Sequence, residues 1–107
     1  MNNRSLDPVV HQFIEDAGKM TQSLGVGRVL GQIFAYLYFS QDPISLADMQ
    51  NSLGISKGSA SMGVRQLEKW GAVKKVWVKG DRKDYINKSL SGLELMGFHL
   101  QELKQRT

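Results

Sequence analysis

Apolar side chains recur at helical spacing in the second half of the chain, and there they predict an amphipathic helix from Ser56 to Trp70. Ala60, Val64 and Leu67 form one stripe of this helix and are expected to face the core. The opposite face carries small, hydroxyl-bearing and basic residues, namely Gly58, Ser61, Met62, Arg65 and Lys69. Ser56 is a suitable N-cap, so the helix should begin there and present a polar face that a polyanion can approach.

Two helices are predicted nearer the N-terminus. Asp7 and Pro8 should start the first, because aspartate caps helices and proline is tolerated at the first helical position. This helix is expected to loosen near Gly18. The second is predicted from about Leu24 to Ser40 and is apolar almost all round, so it should be buried.

Gly25, Gly27 and Gly31 superficially resemble a dinucleotide-binding turn at the start of this second helix. The third glycine comes one residue late, however, and no strand precedes the run. Close packing of one helix on another across Gly27 and Gly31 is therefore the favoured interpretation.

A helix-turn-helix is predicted next. Pro43 disfavours helical geometry in the residue before it and so ends the second helix. Ser45, with Asp48 three residues later, resembles a capping box, and Gly54 can end the short helix that follows in the left-handed conformation. Ser56 then caps the amphipathic helix. This order of cap, glycine stop and second cap is typical of a helix-turn-helix.

A basic β-hairpin is predicted directly afterwards. Val73 to Lys79 alternates between apolar and polar side chains as a strand does, and Arg82 to Ile86 should be its partner. The dipeptide Gly80-Asp81 fits a tight two-residue turn. In this register Val76 lies opposite Tyr85, which places two bulky groups on one face. A helix-turn-helix followed at once by a basic hairpin predicts a winged helix.

The last segment is predicted to be a helix with an apolar seam at a 3-4-3 spacing, formed by Leu93, Met96, Leu100 and Leu103. Such a seam packs on another helix, either within the core or across a dimer, and the dimer is favoured. The predicted fold class is mainly α with a small β-hairpin, a winged helix-turn-helix with terminal helices for dimerisation. One winged-helix domain is expected over 1–107. Its parts are N-terminal helices over 1–41, a helix-turn-helix over 44–70, a wing over 72–87 and a C-terminal helix over 89–106.

Composition narrows the possible functions. With 107 residues, 41% of them hydrophobic and 22% charged, the chain is expected to be one folded domain. It has no cysteine, which removes disulfides and thiolate nucleophiles. No apolar run is long enough to span a bilayer, and the N-terminus lacks the apolar segment of a signal peptide. The expected location is the cytoplasm, without a membrane partner.

The positive charge is concentrated in one segment. The net charge is +4, but residues 54–88 carry nine basic and three acidic side chains, so the rest of the chain is slightly negative. This asymmetry is expected of a nucleic-acid-binding protein, although an anionic membrane surface would also be attracted. A protein–protein interaction module with a basic wing is the alternative.

An enzyme is not expected. His11 and His99 are isolated in the sequence, no His-Glu-x-x-His motif is present, and the serines between Ser56 and Ser61 have no candidate base at catalytic spacing. No catalytic residue, metal site or cofactor is therefore predicted.

The runs 15–19, 25–33, 56–61 and 80–85 resemble the GbsR-type branch of the MarR regulators. The resemblance implies a dimeric winged helix that binds double-stranded DNA at a pseudo-palindromic operator and mostly represses transcription. In that branch the regulated genes typically serve osmoprotectant synthesis or uptake, with choline as inducer. The chain departs from the branch at Ile86, where a second aromatic residue is usual, and in a shorter C-terminal helical region.

Carried over by motif, Ser59, Ser61 and Arg65 would lie in the major groove. Arg82 would be the wing-tip arginine in the minor groove, and Asp81 would orient that tip. The complete predicted DNA-binding set is Lys57, Ser59, Ser61, Arg65, Lys69, Lys79, Arg82 and Lys83.

A choline effector, which the resemblance implies, is a quaternary ammonium and is best held by aromatic faces. The aromatic candidates for such a cage are Phe34, Tyr38, Trp70 and Trp77. Aromatic residues at helical spacing are more often part of a core, and this remains the competing interpretation.

Overall fold

The computed structural model describes residues 7–106, and in this range the chain forms five helices and three short strands. In chain order they are α1 (Pro8–Ser23), α2 (Arg28–Phe39), β1 (Ile44–Ser45), α3 (Leu46–Leu53), α4 (Lys57–Lys69), β2 (Val73–Val76), β3 (Tyr85–Lys88) and α5 (Gly92–Arg106). The strands form an antiparallel sheet in the order β1-β3-β2. The fold is a winged helix-turn-helix, mainly α, as predicted. The expectation that the N-terminus lacks a signal segment falls on residues 1–6, outside the described range.

Helices α1 and α2 pack against each other through glycines. A Cβ atom at Gly18 would lie 2.7 Å from Cγ of Arg28, and one at Gly31 would overlap the backbone carbonyl of Ala17. The Gly31 amide donates to Oγ1 of the buried Thr21 at 3.0 Å, which ties the two helices together. The prediction that α1 loosens near Gly18 is therefore wrong, because this glycine allows α2 to approach a continuous helix.

The start of α2 differs from the prediction as well. The helix begins at Arg28 instead of Leu24, and Gly27 is its N-cap with φ 90°. A Cβ atom at Gly27 would meet no described atom within 4 Å, so close packing does not explain this residue. Gly27 and Gly25, with φ 87°, supply the positive φ angles that the short connection requires. Of the two predicted packing glycines, Gly31 alone has that role.

Helix α2 is the centre of the core. Ile33 and Leu37 are fully buried, and the cluster around them extends to Met49 of α3, Leu67 of α4 and Ile86 of β3. Burial of apolar surface on this scale is what stabilises a domain of this size.

Local capping places the helix-turn-helix as predicted. The Ser45 hydroxyl accepts a hydrogen bond from the Asp48 amide at 3.1 Å, and Gly54 ends α3 with φ 66°. The Ser56 hydroxyl then accepts from the Ser59 amide at 3.1 Å and starts α4. Ser45 also belongs to β1, an additional strand that the sequence did not predict and that pairs with β3.

The wing keeps the predicted register but not the predicted turn. Val76 pairs with Tyr85, as expected, yet β2 ends at Val76 and β3 begins at Tyr85, so residues 77–84 form a loop. The Asp81 carboxylate accepts from the Lys83 amide at 2.9 Å and from the Tyr85 hydroxyl at 2.7 Å. These side-chain bonds stabilise a loop in place of a continued ladder.

The predicted apolar seam of helix α5 is only partly buried. Met96 is buried in the core, whereas Leu93 is exposed and Leu100 and Leu103 are half-buried. The Ser89 hydroxyl donates to the Gly71 carbonyl at 2.6 Å and holds the segment before α5 beside the end of α4. An apolar groove of about 570 Å³ remains between α1, α2 and α5.

Candidate nucleic-acid interface

Helix α4 is amphipathic in the sense that the sequence predicted. Ala60, Val64 and Leu67 are buried against the rest of the domain. The exposed residues are Lys57, Gly58, Met62, Arg65 and Lys69. Met62 is 68% exposed, and a Cβ atom at Gly58 would meet no described atom within 4 Å. The α4 face, as we call these five exposed residues, has Met62 and Arg65 in its middle, the small Gly58 near its start and a lysine at each end.

Ser59 and Ser61, the two serines predicted to contact DNA, are not among the exposed residues of the α4 face. Ser61 is half-buried and lies roughly 40° from Arg65 around the helix, whereas Ser59 lies roughly 120° away. The Ser59 hydroxyl is bonded to the Ser56 hydroxyl at 3.0 Å and lines a cleft of about 360 Å³ toward the start of α2. Ser59 therefore lies to one side of Arg65, with its hydroxyl bonded within the cap of its own helix, and its predicted contact in the major groove stays a prediction.

The wing presents three of the predicted basic residues to the surroundings. Lys79, Arg82 and Lys83 are all exposed on the 77–84 loop. The Lys83 amide and then the Tyr85 hydroxyl, both donating to Asp81, hold the pKa of that carboxyl below its ordinary value. The same hydrogen bond from Tyr85 to Asp81 raises the pKa of the Tyr85 hydroxyl.

Asp81 therefore orients the loop backbone. Among the described residues, its carboxylate is hydrogen-bonded to Lys83 and Tyr85 and not to the guanidinium of Arg82. The expected restraint of the arginine by Asp81 is thus indirect, through the shape of the loop.

One lysine of the basic segment faces inward. Nζ of Lys88 donates to the carbonyl of Ser40 at 2.7 Å and to the carbonyl of Leu37 at 3.3 Å. These carbonyls lie at the end of α2, where a helix lacks backbone donors and favours a cation. Lys88 is therefore part of the fold, and the exposed positive charge is smaller than the sequence suggested.

The four aromatic candidates for an effector cage lie in three separate places. Phe34 and Tyr38 line the α1-α2-α5 groove, with ring centroids 6.3 Å apart. Trp70, at the end of α4, stacks on His99 of α5 at 4.9 Å with an interplanar angle of 11°. Trp77 is 80% exposed on the wing. A single cage formed by all four residues is therefore not present.

Other features bear on possible chemistry. Within residues 7–106, no group of three or more His, Cys, Asp or Glu side chains is arranged to hold a metal ion. His11 is exposed, and the His99 ring is occupied by its stack with Trp70. None of the helices in the described part of the chain combines the length and apolar character needed to cross a bilayer.

Sequence comparison places the chain beside transcriptional regulators, although no family model matches it. The HTH-type transcriptional repressor OpcR of Bacillus subtilis is 28% identical over 87 residues, covering 78% of this chain and 47% of OpcR. The putative HTH-type transcriptional regulator YvaV of the same species is 29% identical over 72 residues, covering 67% of this chain and 41% of YvaV. The chain spans about half the length of the curated relatives it matches.

Solved structures define the fold more closely. A crystal structure of a transcriptional regulator matches with a TM-score of 0.77 at 23% identity, covering 92% of this chain and 70% of that one. A MarR transcriptional regulator from Methanosarcina mazei Go1 gives 0.60 at 19%, covering 92% and 70%. A mutant of S. aureus MepR bound to an oligodeoxyribonucleotide gives 0.62 at 22%, covering 92% and 75%. The architecture is that of the MarR-type winged helix.

Proposed function

We propose that this chain is a sequence-specific DNA-binding transcriptional regulator. The observation that carries the proposal is the α4 face. It lies on the second helix of a capped helix-turn-helix, and a basic wing follows this helix in the chain. An α-helix fits the major groove of B-form DNA, where base edges can be read directly. The names of the curated relatives support regulation, and the MepR complex supports DNA binding by this fold.

In this proposal α4 lies in the major groove. Arg65 is at the centre of the exposed face and reads a base edge, because its guanidinium can donate two hydrogen bonds to a guanine. Gly58 lets the helix backbone approach the DNA closely. Lys57 and Lys69 bind phosphates at the two ends, Ser61 contacts the groove beside Arg65, and Ser59 has a supporting role through the helix cap.

The wing extends the contact along the duplex. Arg82 enters a narrow minor groove, where the enhanced negative potential favours an arginine. Lys79 and Lys83, exposed on the same loop, bind the flanking phosphates. This division of roles gives α4 the sequence preference, while the phosphate-binding lysines of α4 and of the wing both contribute salt-dependent affinity.

We further propose that the chain, acting as one DNA-binding domain, forms a homodimer. Large apolar side chains are exposed on α1 and α5, namely Val9, Phe13, Met20, Leu93 and Phe98. Phe13, Met20 and Leu93 border the α1-α2-α5 groove, so exposed apolar side chains of both helices are available for a second copy. Two symmetry-related α4 helices would then read a pseudo-palindromic site with half-sites about one helical turn apart.

The finer assignments rest on the sequence resemblance. They are membership of the GbsR-type branch, repression of transcription, and release of DNA by choline. The cytoplasm, expected from the absence of a membrane-spanning run, is the proposed location. For choline, Phe34 and Tyr38 offer aromatic faces in the α1-α2-α5 groove, without a contribution from Trp70 or Trp77. Titration of choline into the protein–DNA complex, with calorimetry on the free protein, tests this effector, and no heat and no release at millimolar choline would exclude it.

The test of the main proposal is selection of bound sequences from random duplex DNA by the full chain, with sedimentation to give the oligomeric state. Enrichment of a two-fold symmetric sequence by a dimer is the expected result. Arg65→Ala should relax the enriched sequence, whereas the control Arg106→Ala, which removes the same charge from the end of α5, should not. If the wild-type chain enriches no sequence and binds no duplex at low salt, the proposal fails and the protein-interaction module is the better explanation.

A further inference from the structure

Trp77 is exposed to an extent that the fold does not explain. Its side chain is 80% accessible, although tryptophan is usually well buried when it stabilises a domain. Trp70, the other tryptophan, is half-buried and stacked on His99. No aromatic partner of Trp77 is present among the described residues. Trp77 therefore contributes little to the core, and its indole is available to an external partner.

The surroundings of Trp77 indicate the chemistry of that partner. The indole borders an open groove of about 700 Å³ that also includes Lys75, Arg82 and Lys83. Of the two carboxylates there, Asp81 is already hydrogen-bonded to Lys83 and Tyr85 within the loop. The other carboxylate is Asp84, so the groove holds three cationic and two acidic side chains beside the indole. A groove with this excess of positive charge and an exposed ring would meet an anionic surface with apolar parts, which is the character of a sugar-phosphate backbone.

We propose that Trp77 packs against the deoxyribose edge of duplex DNA beside the minor groove, with its Nε1–H donating to a phosphate oxygen. This inference rests on the proposed function, and it assigns a DNA contact to a residue outside the predicted DNA-binding set. The contact is largely apolar, so it adds affinity that changes little with salt concentration. The lysines and arginine around it add affinity that falls as salt rises.

A protein surface is the competing partner for an exposed tryptophan. The duplex is favoured because Lys75, Arg82 and Lys83 line the same groove and Lys79 is exposed on the same loop. An apolar protein partner would have to desolvate these cations or supply matching carboxylates. The experiment below separates the two by varying protein concentration in the absence of DNA.

The test uses fluorescence, because each tryptophan can be observed alone. Trp70→Phe leaves Trp77 as the sole indole and keeps a ring against His99, while Trp77→Phe leaves Trp70 as the sole indole. Each protein is titrated with duplex DNA recovered from the selection, or with a mixed-sequence duplex of about 25 base pairs at low salt. Acrylamide quenching, measured with and without DNA, reports how far each indole is shielded.

We expect DNA to shield Trp77 from acrylamide and to leave Trp70 unchanged. Trp77→Ala should weaken binding about tenfold and keep the slope of log affinity against log salt, while Lys79→Ala lowers that slope by about one unit. Leu90→Ala, which removes a fully exposed apolar side chain outside the wing, is the matched control and should bind as wild type.

Three outcomes would overturn the inference. Trp70→Phe protein that binds DNA while Trp77 remains open to acrylamide would refute the contact and leave the proposed function intact. Shielding of Trp77 with rising protein concentration, without DNA, would assign it to a protein interface. Wild-type protein that binds no duplex would refute the proposed function itself.

Discussion

Replacing Lys88 by methionine should destabilise the fold without reducing the electrostatic attraction to DNA. Nζ of Lys88 lies 2.7 Å from the Ser40 carbonyl, and the Leu37 carbonyl that it also reaches already accepts from the Ser40 amide at 3.1 Å. Loss of the ammonium group therefore leaves chiefly the Ser40 carbonyl, at the end of α2, without its donor.

The expected cost follows from this single charged hydrogen bond. Hydrogen bonds to charged groups contribute about 1.5 to 3 kcal/mol, and water can replace part of this one because Lys88 is only half-buried. We expect the free energy of unfolding to fall by about 1 to 2 kcal/mol, which lowers the melting temperature by roughly 5 to 15 °C for a domain of this size.

Urea denaturation followed by far-ultraviolet circular dichroism measures the change. All variants are compared at one protein concentration, because dimer formation makes the apparent stability depend on concentration. Lys83→Met is the matched control: its side chain is exposed on the wing, so its stability should remain within about 0.5 kcal/mol of wild type.

DNA binding should show the reverse pattern, in which Lys83→Met has the larger effect and Lys88→Met the smaller. Lys83→Met should lower the salt slope of DNA affinity by about one unit, whereas Lys88→Met should leave it unchanged. A Lys88→Met protein as stable as wild type would refute the capping role. A salt slope that falls as it does in Lys83→Met would make Lys88 a phosphate contact.

Three further predictions concern the reading helix, the helix pair and the wing. Arg65→Ala should cost about 1 to 3 kcal/mol of DNA affinity and relax base preference at one position, as measured by competition between duplexes; equal weakening on all sequences would indicate a phosphate contact. Gly31→Ala should destabilise the domain by about 1 to 3 kcal/mol or more in urea denaturation, because the added methyl group would overlap the backbone of α1. A Gly31→Ala variant as stable as wild type would contradict that packing. The Asp81–Tyr85 bond should order the wing between the ordinary pKa values of 3.8 and 10.0, since the pKa of Asp81 is lowered and that of Tyr85 is raised. The order should be lost as pH falls through the lowered value or rises through the raised one, and wing amide exchange by NMR should increase in Tyr85→Phe at neutral pH; identical exchange would exclude this role.

Much of the fold could be predicted from the sequence because its signals act over a few residues. Asp7, Ser45 and Ser56 each cap a helix through a side-chain bond to an amide two or three residues later. Gly54 ends α3 because its left-handed conformation is accessible to glycine. The buried stripe of α4 and the pairing of Val76 with Tyr85 follow from simple periodicity. These elements were enough to predict the winged helix and the exposed face of α4.

Distant contacts decided the remainder. Gly31 meets α1 ten residues earlier in the chain, and Lys88 reaches Leu37 across 51 residues, so neither role has a local pattern. The prediction of a tight hairpin turn at Gly80-Asp81 was wrong because the Asp81 carboxylate accepts hydrogen bonds from the Lys83 amide and the Tyr85 hydroxyl, in competition with the strand ladder. Trp70 and Trp77 look alike in sequence, yet one meets His99 of a later helix and the other meets none of the described rings. Periodicity assigns a side chain to one face of its own element, whereas its partner depends on how the elements pack in three dimensions.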